Sequence, residues 1–106
     1  MKLVTAIIRT NKLDEVMNAV SGAGAHGLTA SEARGFGQQY GHTGQESVLL
    51  PKLRIDVVVQ DELVTPVTEA IIKSAQTGAI GDGKIWVIPV ESALRVRTGE
   101  RDWAAV

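Results

Sequence analysis

The run Thr77-Gly-Ala-Ile-Gly-Asp-Gly-Lys84 places three glycines, a carboxylate and an ammonium within eight residues. Glycines let consecutive backbone N–H groups turn toward one point with no Cβ in the way, forming a concave nest for the oxygens of an anion such as phosphate. Lys84 adds positive charge at the end of that nest. The spacing Gly78-x-x-x-x-Gly83-Lys84 covers most of a nucleotide triphosphatase P-loop, but Ile85 stands where a Ser or Thr hydroxyl would meet magnesium. The flanks also run helix then strand, the reverse of a P-loop. The run is therefore either an anion cradle of another kind or a glycine-rich turn between a helix and a strand. Arg95 and Arg97 supply two more cations. Two apart on a strand, they would share a face at about 7 Å, which suits neighbouring phosphates of one nucleotide, although edge arginines are also ordinary solvated charges. Lys52, where a long polar loop rejoins the sheet, can join the same cluster.

Other chemistry is sparse. His26 lies in a short connection and His42 in the polar loop, neither with the oriented partner that nucleophilic catalysis needs. Trp86 and Trp103 read as core or interface anchors rather than stacking platforms. A small phosphoryl-transfer or nucleotide-hydrolysing enzyme would have to use Asp82 as its base or metal ligand, without a second acid or a nucleophile beside it.

The elements that must position these residues follow from periodicity. Residues 2 to 9 are rich in β-formers and predict a first strand, short enough to be central. Leu13, Val16, Met17 and Val20 form the stripe of an amphipathic helix that Asn11 could cap and that Gly22 and Gly24 end. Leu28 to Arg34 predicts a second strand. From Gly35 to about Pro51 no period survives, which marks a long polar loop of the kind that is usually functional. Leu53, Ile55, Val57 and Val59 then alternate with more polar neighbours as one apolar strand face. Thr65-Pro66 predicts the cap and first residue of a second helix with Val67, Ile71 and Ala75 on one face; a start at Asp61 would put Pro66 inside it. Ile85 to Val90 reads as a buried strand, and Ala93 to Arg97 as a last short one. The order β-α-β, loop, β-α-β is that of an α+β, ferredoxin-like domain with an antiparallel sheet and helices on one face. Val58 on the polar side of its strand, in a chain with few aromatics, suggests that the other sheet face is covered by further subunits.

At 106 residues the chain fits one domain, residues 1–106, with a thin core. Eleven Lys plus Arg balance 12 Asp plus Glu for a net charge of −1, without the basic footprint of a nucleic-acid binder, so any anion site is local. The absence of cysteine removes disulfides and thiolate chemistry, and two histidines can hardly build a zinc site. No apolar run reaches the length of a signal peptide core or membrane span, which points to a cytoplasmic protein, peripheral to a membrane at most.

Three ordered motifs carry a family resemblance. Thr77-Gly-x-Ile-Gly-Asp-Gly-Lys84 resembles the B-loop of the P-II nitrogen-regulatory signal-transduction proteins, and Arg95-Val-Arg-Thr-Gly-Glu100 resembles their C-loop. Gly35-Phe-Gly-x-Gln39 with Gly41-His-Thr43 resembles the root of their T-loop, and the opening through Lys12-Leu-Asp14 also matches. The resemblance implies a homotrimer with nucleotide sites in the clefts between subunits, where ATP and ADP compete, and a T-loop that signals to a regulated transporter or enzyme. It assigns phosphate binding to Gly81, Asp82, Gly83 and Lys84 of one subunit and to Arg95 and Arg97 of the next. Thr29 and Val58 would line the adenine pocket, with Gly27, Gly35, Gly37 and Gln38 close by. Gln39 would help bind magnesium, Lys52 would pair with the carboxylate of 2-oxoglutarate, and N–H groups at the loop root around Gly41 would help hold the effector.

Departures from the family pattern lie in the T-loop. Gly44 to Lys52 is several residues shorter than the usual form and lacks the modified tyrosine and the channel-plugging arginine, and Gln38 replaces a usual arginine. Uridylylation and ammonium-channel blocking therefore fall into doubt while the nucleotide site stays intact. P-II-like variants that sense bicarbonate with ADP or AMP, near carboxysomes or bicarbonate uptake, or that accompany metal-efflux pumps, are the alternatives the resemblance leaves open.

Overall fold

A computed structural model describes residues 1–37 and 49–106. Strands β1 (Lys2–Ile8), β2 (Thr29–Gly35), β3 (Leu50–Val59) and β4 (Lys84–Pro89) form one sheet in the order β2-β3-β1-β4, each pair antiparallel. Helices α1 (Leu13–Gly22) and α2 (Val64–Ala75) lie in the two crossovers, each entered through a 3-10 turn, Thr10–Lys12 and Asp61–Leu63. This is the ferredoxin-like α+β arrangement, with β1 central between β3 and β4 as its β-rich composition and short length predict.

The period-two and period-3.6 patterns meet in one core. Val4, Ala6 and Ile8 of β1 and Ile55, Val57 and Val59 of β3 face Val16 and Val20 of α1 and Val67, Ile71 and Ala75 of α2, all buried. Burying each such aliphatic side chain is worth roughly 1.5–3 kcal/mol, so this double layer carries most of the folding energy. Met17, expected in the α1 stripe, is 44% exposed, leaving that stripe narrower than the spacing predicts.

Four local expectations are corrected. Asn11 does not cap α1: it sits inside the 3-10 turn, and no side-chain hydrogen bond caps either helix. The helical run after β3 does begin at Asp61, with Pro66 third in α2. The first four N–H groups of a helix have no acceptor within it, so proline there removes nothing. The stretch Ala93–Arg97 forms no strand; a single bridge, Leu94 to Arg101, and a turn over 96–98 replace it. β4 is moreover an edge strand and mostly exposed, not buried, because no described residue covers its outer edge or the face opposite the helices.

That second face carries Val58, Trp86 and Ile88, which are 37%, 38% and 47% exposed, beside the polar cluster Thr5, Arg54 and Asp56. Where β4 begins, Gly83 passes so close to β1 that a Cβ on it would lie 1.7 Å from the Ile7 carbonyl oxygen, and its φ of +109° is in the left-handed region. Two independent constraints therefore demand glycine. Gly83→Ala should lose about 3 kcal/mol or more of stability by chemical denaturation. Gly22→Ala, at the end of α1 with open space around the new methyl, should be neutral or stabilising by up to about 1 kcal/mol.

Candidate functional site

The loop between α2 and β4 is built around the carboxylate of Asp82. Its Oδ2 accepts from the N–H groups of Thr77 and Gly78, both at 2.8 Å, and its Oδ1 accepts from the Thr77 hydroxyl and from Arg9 Nε at 3.0 Å. The backbone nest expected to hold an external anion is thus filled, at Thr77 and Gly78, by the chain's own anion. Two further ties reach the loop from the sheet: Arg9 Nη2 donates to the Ile80 carbonyl at 2.9 Å, and Lys52 Nζ donates to the Gly81 carbonyl at 2.7 Å. Arg9 has no part in any motif read from the sequence. Its only signal there is a charge at the end of an apolar strand, and what makes it matter is a contact across 73 residues.

These contacts set the charge states. The Thr77 hydroxyl first, then the Thr77 N–H, Arg9 and the Gly78 N–H, hold the Asp82 carboxyl far below the usual carboxylate range, although burial pushes the other way. A carboxylate so stabilised is a poor proton acceptor, which removes the general-base role that a phosphoryl-transfer enzyme would ask of Asp82. Burial, and then the neighbouring Arg9 charge, push the Lys52 pKa down, against the attraction of Asp82. Lys84 and Arg97, by contrast, are exposed and meet no hydrogen-bond or ion-pair partner among the described residues.

A second group of expected residues gathers at a distance. Gly27 and Thr29, at the entry to β2, share a recess of about 440 Å³ with Val58 of β3 and Arg95. His26, Leu28, Asp56, Ala105 and Val106 complete its lining. Arg95 Nε is buried with no hydrogen-bond partner among the described residues; it forms a long ion pair with Glu100 Oε1 at 3.5 Å, an oxygen that also accepts from the Thr98 hydroxyl at 2.7 Å. Asp56, which sequence reasoning missed, accepts from Thr5 Oγ1 at 2.7 Å and from Arg54 Nε at 3.0 Å. Burial raises its pKa, but those two hydrogen bonds and the Arg54 charge outweigh it and leave the carboxyl lowered and ionised. Arg97 does not line this recess, and with residues 96–98 in a turn the two arginines do not share a strand face.

Val58 and Lys52 are six positions apart on β3, about 20 Å along a strand. Lys52 lines a different recess, of about 280 Å³, with Arg9, Thr10, Asn11, Leu50 and Pro51. Gly35 ends β2 and Gly37 follows it. Gln38, Gln39 and Gly41 lie outside the described residues, as do Tyr40, His42 and Ser47. Among the described residues no group of three or more His, Asp or Glu could hold a metal, and no helix is long and apolar enough to cross a membrane.

The fold is a ferredoxin-like sheet with cation-bearing loops, and among the described residues none pairs a nucleophile with an available base. The family profile described as Nitrogen regulatory protein P-II matches residues 1–100. The chain is 51% identical to the nitrogen regulatory protein P-II of Rhodospirillum rubrum, both chains covered in full. It is 52% identical to P-II 2 of Methanothermobacter thermautotrophicus, over the whole of this chain and 97% of that one, and 47% identical to P-II 1 of Escherichia coli K12 over both in full. The chain belongs to the P-II nitrogen regulatory protein family, whose named members here are regulators and not enzymes. The alignments run to 112 positions against 106 residues, so relatives contain residues that this chain omits.

Because the folded pKa of Asp82 lies below its unfolded value, the stability it contributes is complete above the unfolded value, near ~3.9, and is lost only as pH falls through the folded one. The Asp82 carboxyl carbon resonance should therefore show no inflection on titration from about pH 7 to about pH 4. A midpoint near ~4 would mean that the loop does not hold this carboxylate in solution.

Proposed function

We propose that this chain binds ATP or ADP in the clefts of a homotrimer and signals carbon, nitrogen or energy status to a partner, a regulated transporter or enzyme, through the loop joining β2 and β3. The observation that carries the proposal is the recess that unites Gly27, Thr29, Val58 and Arg95 around a buried, unpartnered guanidinium nitrogen. The Arg95 side chain is 39% exposed and held, among the described residues, only by a long ion pair to Glu100, which leaves its terminal guanidinium nitrogens able to meet a phosphate or other anionic group. Apolar Leu28 and Val58 beside polar Thr29 and Asp56 suit a purine nucleoside, with the ionised Asp56 available to accept from sugar hydroxyls.

The B-loop complements this recess from another copy. Lys84 and Arg97 have no partner among the described residues, and the strand geometry puts the Lys52 end of β3 about 20 Å from Val58, farther than one nucleotide comfortably spans within a single chain. Pairing the base end of one subunit with the phosphate loop of its neighbour removes that difficulty. The exposed Val58, Trp86 and Ile88 supply apolar surface for the assembly. Asp82, whose carboxylate is engaged, would hold the loop in shape rather than meet phosphate itself, leaving Gly81, Gly83 and Lys84 to do so. Gln39, with magnesium, and Gly41 and Lys52, with a small acid such as 2-oxoglutarate, complete the proposal at the loop root. For signalling, ATP and ADP must favour different states of the loop.

Calorimetry with ATP and ADP is the direct test. The unaltered protein should bind both, and Lys84→Ala should weaken ATP at least tenfold, about 1.4 kcal/mol. Unchanged affinity would take Lys84 out of the site. Sedimentation equilibrium should give a trimer, and a monomer would remove the inter-subunit cleft.

A further inference from the structure

The segment after β4 contributes more to the recess than its arginine. Ala105 and Val106 stand in the lining with Val58 and Leu28, so part of the apolar wall comes from the C-terminal turn and not from the sheet. A flat purine needs apolar surface against its faces, and the sheet offers only one such wall.

How the turn is held decides what it can do. Asp102, with φ at +55°, hooks it to the strand end: its N–H donates to the Ala93 carbonyl at 2.6 Å, and its Oδ1 accepts from the Ala93 N–H at 3.3 Å. The left-handed conformation, tolerable for Asp, turns the chain back toward the recess, and the Ala104 N–H closes the next turn on the Arg101 carbonyl at 3.2 Å. Beyond that the polar anchoring stops. Val106 makes no hydrogen bond to a described residue and is half-buried in the lining of the recess, while Trp103 is 72% exposed and outside that lining.

We infer that the turn Asp102–Ala105 with Val106 is an adjustable wall of the recess, and that Ala105 and Val106 determine how much of a nucleotide's affinity comes from its base. The inference rests on the reading of this recess as the base end of the nucleotide site. A wall hooked at Asp102 and free of hydrogen bonds at Val106 can close on a ring by a small displacement, gaining contact area without breaking a polar tie. Gly81, Gly83 and Lys84, which the proposal assigns to the phosphates, come from the neighbouring copy and do not depend on this wall; of the phosphate cations only Arg95 shares the recess.

The test separates base from phosphate. ATP and inorganic tripolyphosphate are titrated by calorimetry into the full chain, into a chain lacking Ala105 and Val106, and into full-length Ala105→Ser/Val106→Ser, which keeps the backbone. Sedimentation first establishes that all three assemble alike. The truncated chain should lose about tenfold in ATP affinity and the double substitution a smaller factor, with tripolyphosphate unchanged within about twofold. Unchanged ATP affinity in both variants overturns the inference, as do equal losses for ATP and tripolyphosphate, which would mean that the tail supports the site as a whole. Failure of the full chain to bind ATP would overturn the nucleotide reading itself, and the inference with it.

Discussion

The carboxylate of Asp82 is the constraint on which the rest of this structure depends. Four donors converge on it, three from within its own loop and one from Arg9 at the end of β1. Charge-assisted hydrogen bonds of this kind are about twice as strong as neutral ones, so the loop is shaped before any ligand arrives. Lys52 and the second Arg9 contact then fasten the loop's carbonyls to β3 and β1. With the loop fixed, β4 must start where Gly83 grazes the Ile7 carbonyl, and Lys84 enters the sheet edge with its ammonium uncommitted.

A division of labour follows among the cations. Arg9 and Lys52 are used to build the loop, whereas Lys84 and Arg97 meet no partner among the described residues and Arg95 Nε has only a long ion pair to Glu100. Cations that are spent on structure cannot also be the first contacts of a ligand without giving up a hydrogen bond. Lys52 is the borderline case: its lowered pKa records burial beside another positive charge, a situation that an added carboxylate would relieve. The loop around Asp82 is tied down by hydrogen bonds, whereas the recess at Thr29 and Val58 is lined in part by Ala105 and Val106.

Much of the fold was legible because its signals are local. The alternation of Leu53 to Val59 and the Val67, Ile71, Ala75 stripe gave the right faces, and the Thr77–Lys84 motif falls where a loop meets the start of β4. Where the expectation failed, the deciding neighbour lay elsewhere in space. Ala93–Arg97 has strand-like residues but only a single bridge, because Asp102 and Glu100 draw its backbone into a tight turn. Pro66 looked like a helix start because the preceding 3-10 turn has no period to reveal it.

By itself, the sequence determined the α+β arrangement, the family and the set of residues worth attention, since periodicity, glycine spacing and ordered motifs are carried by neighbours along the chain. The tertiary structure decided what each of those residues does. It turned Asp82 from a presumed ligand group into the internal anion of its own nest, brought in Arg9 from 73 residues away, and put Asp56, Ala105 and Val106 beside Thr29 and Val58. A hydrogen bond is chosen by distance and angle in the folded chain, and neither is written in the spacing of residues that meet only after folding.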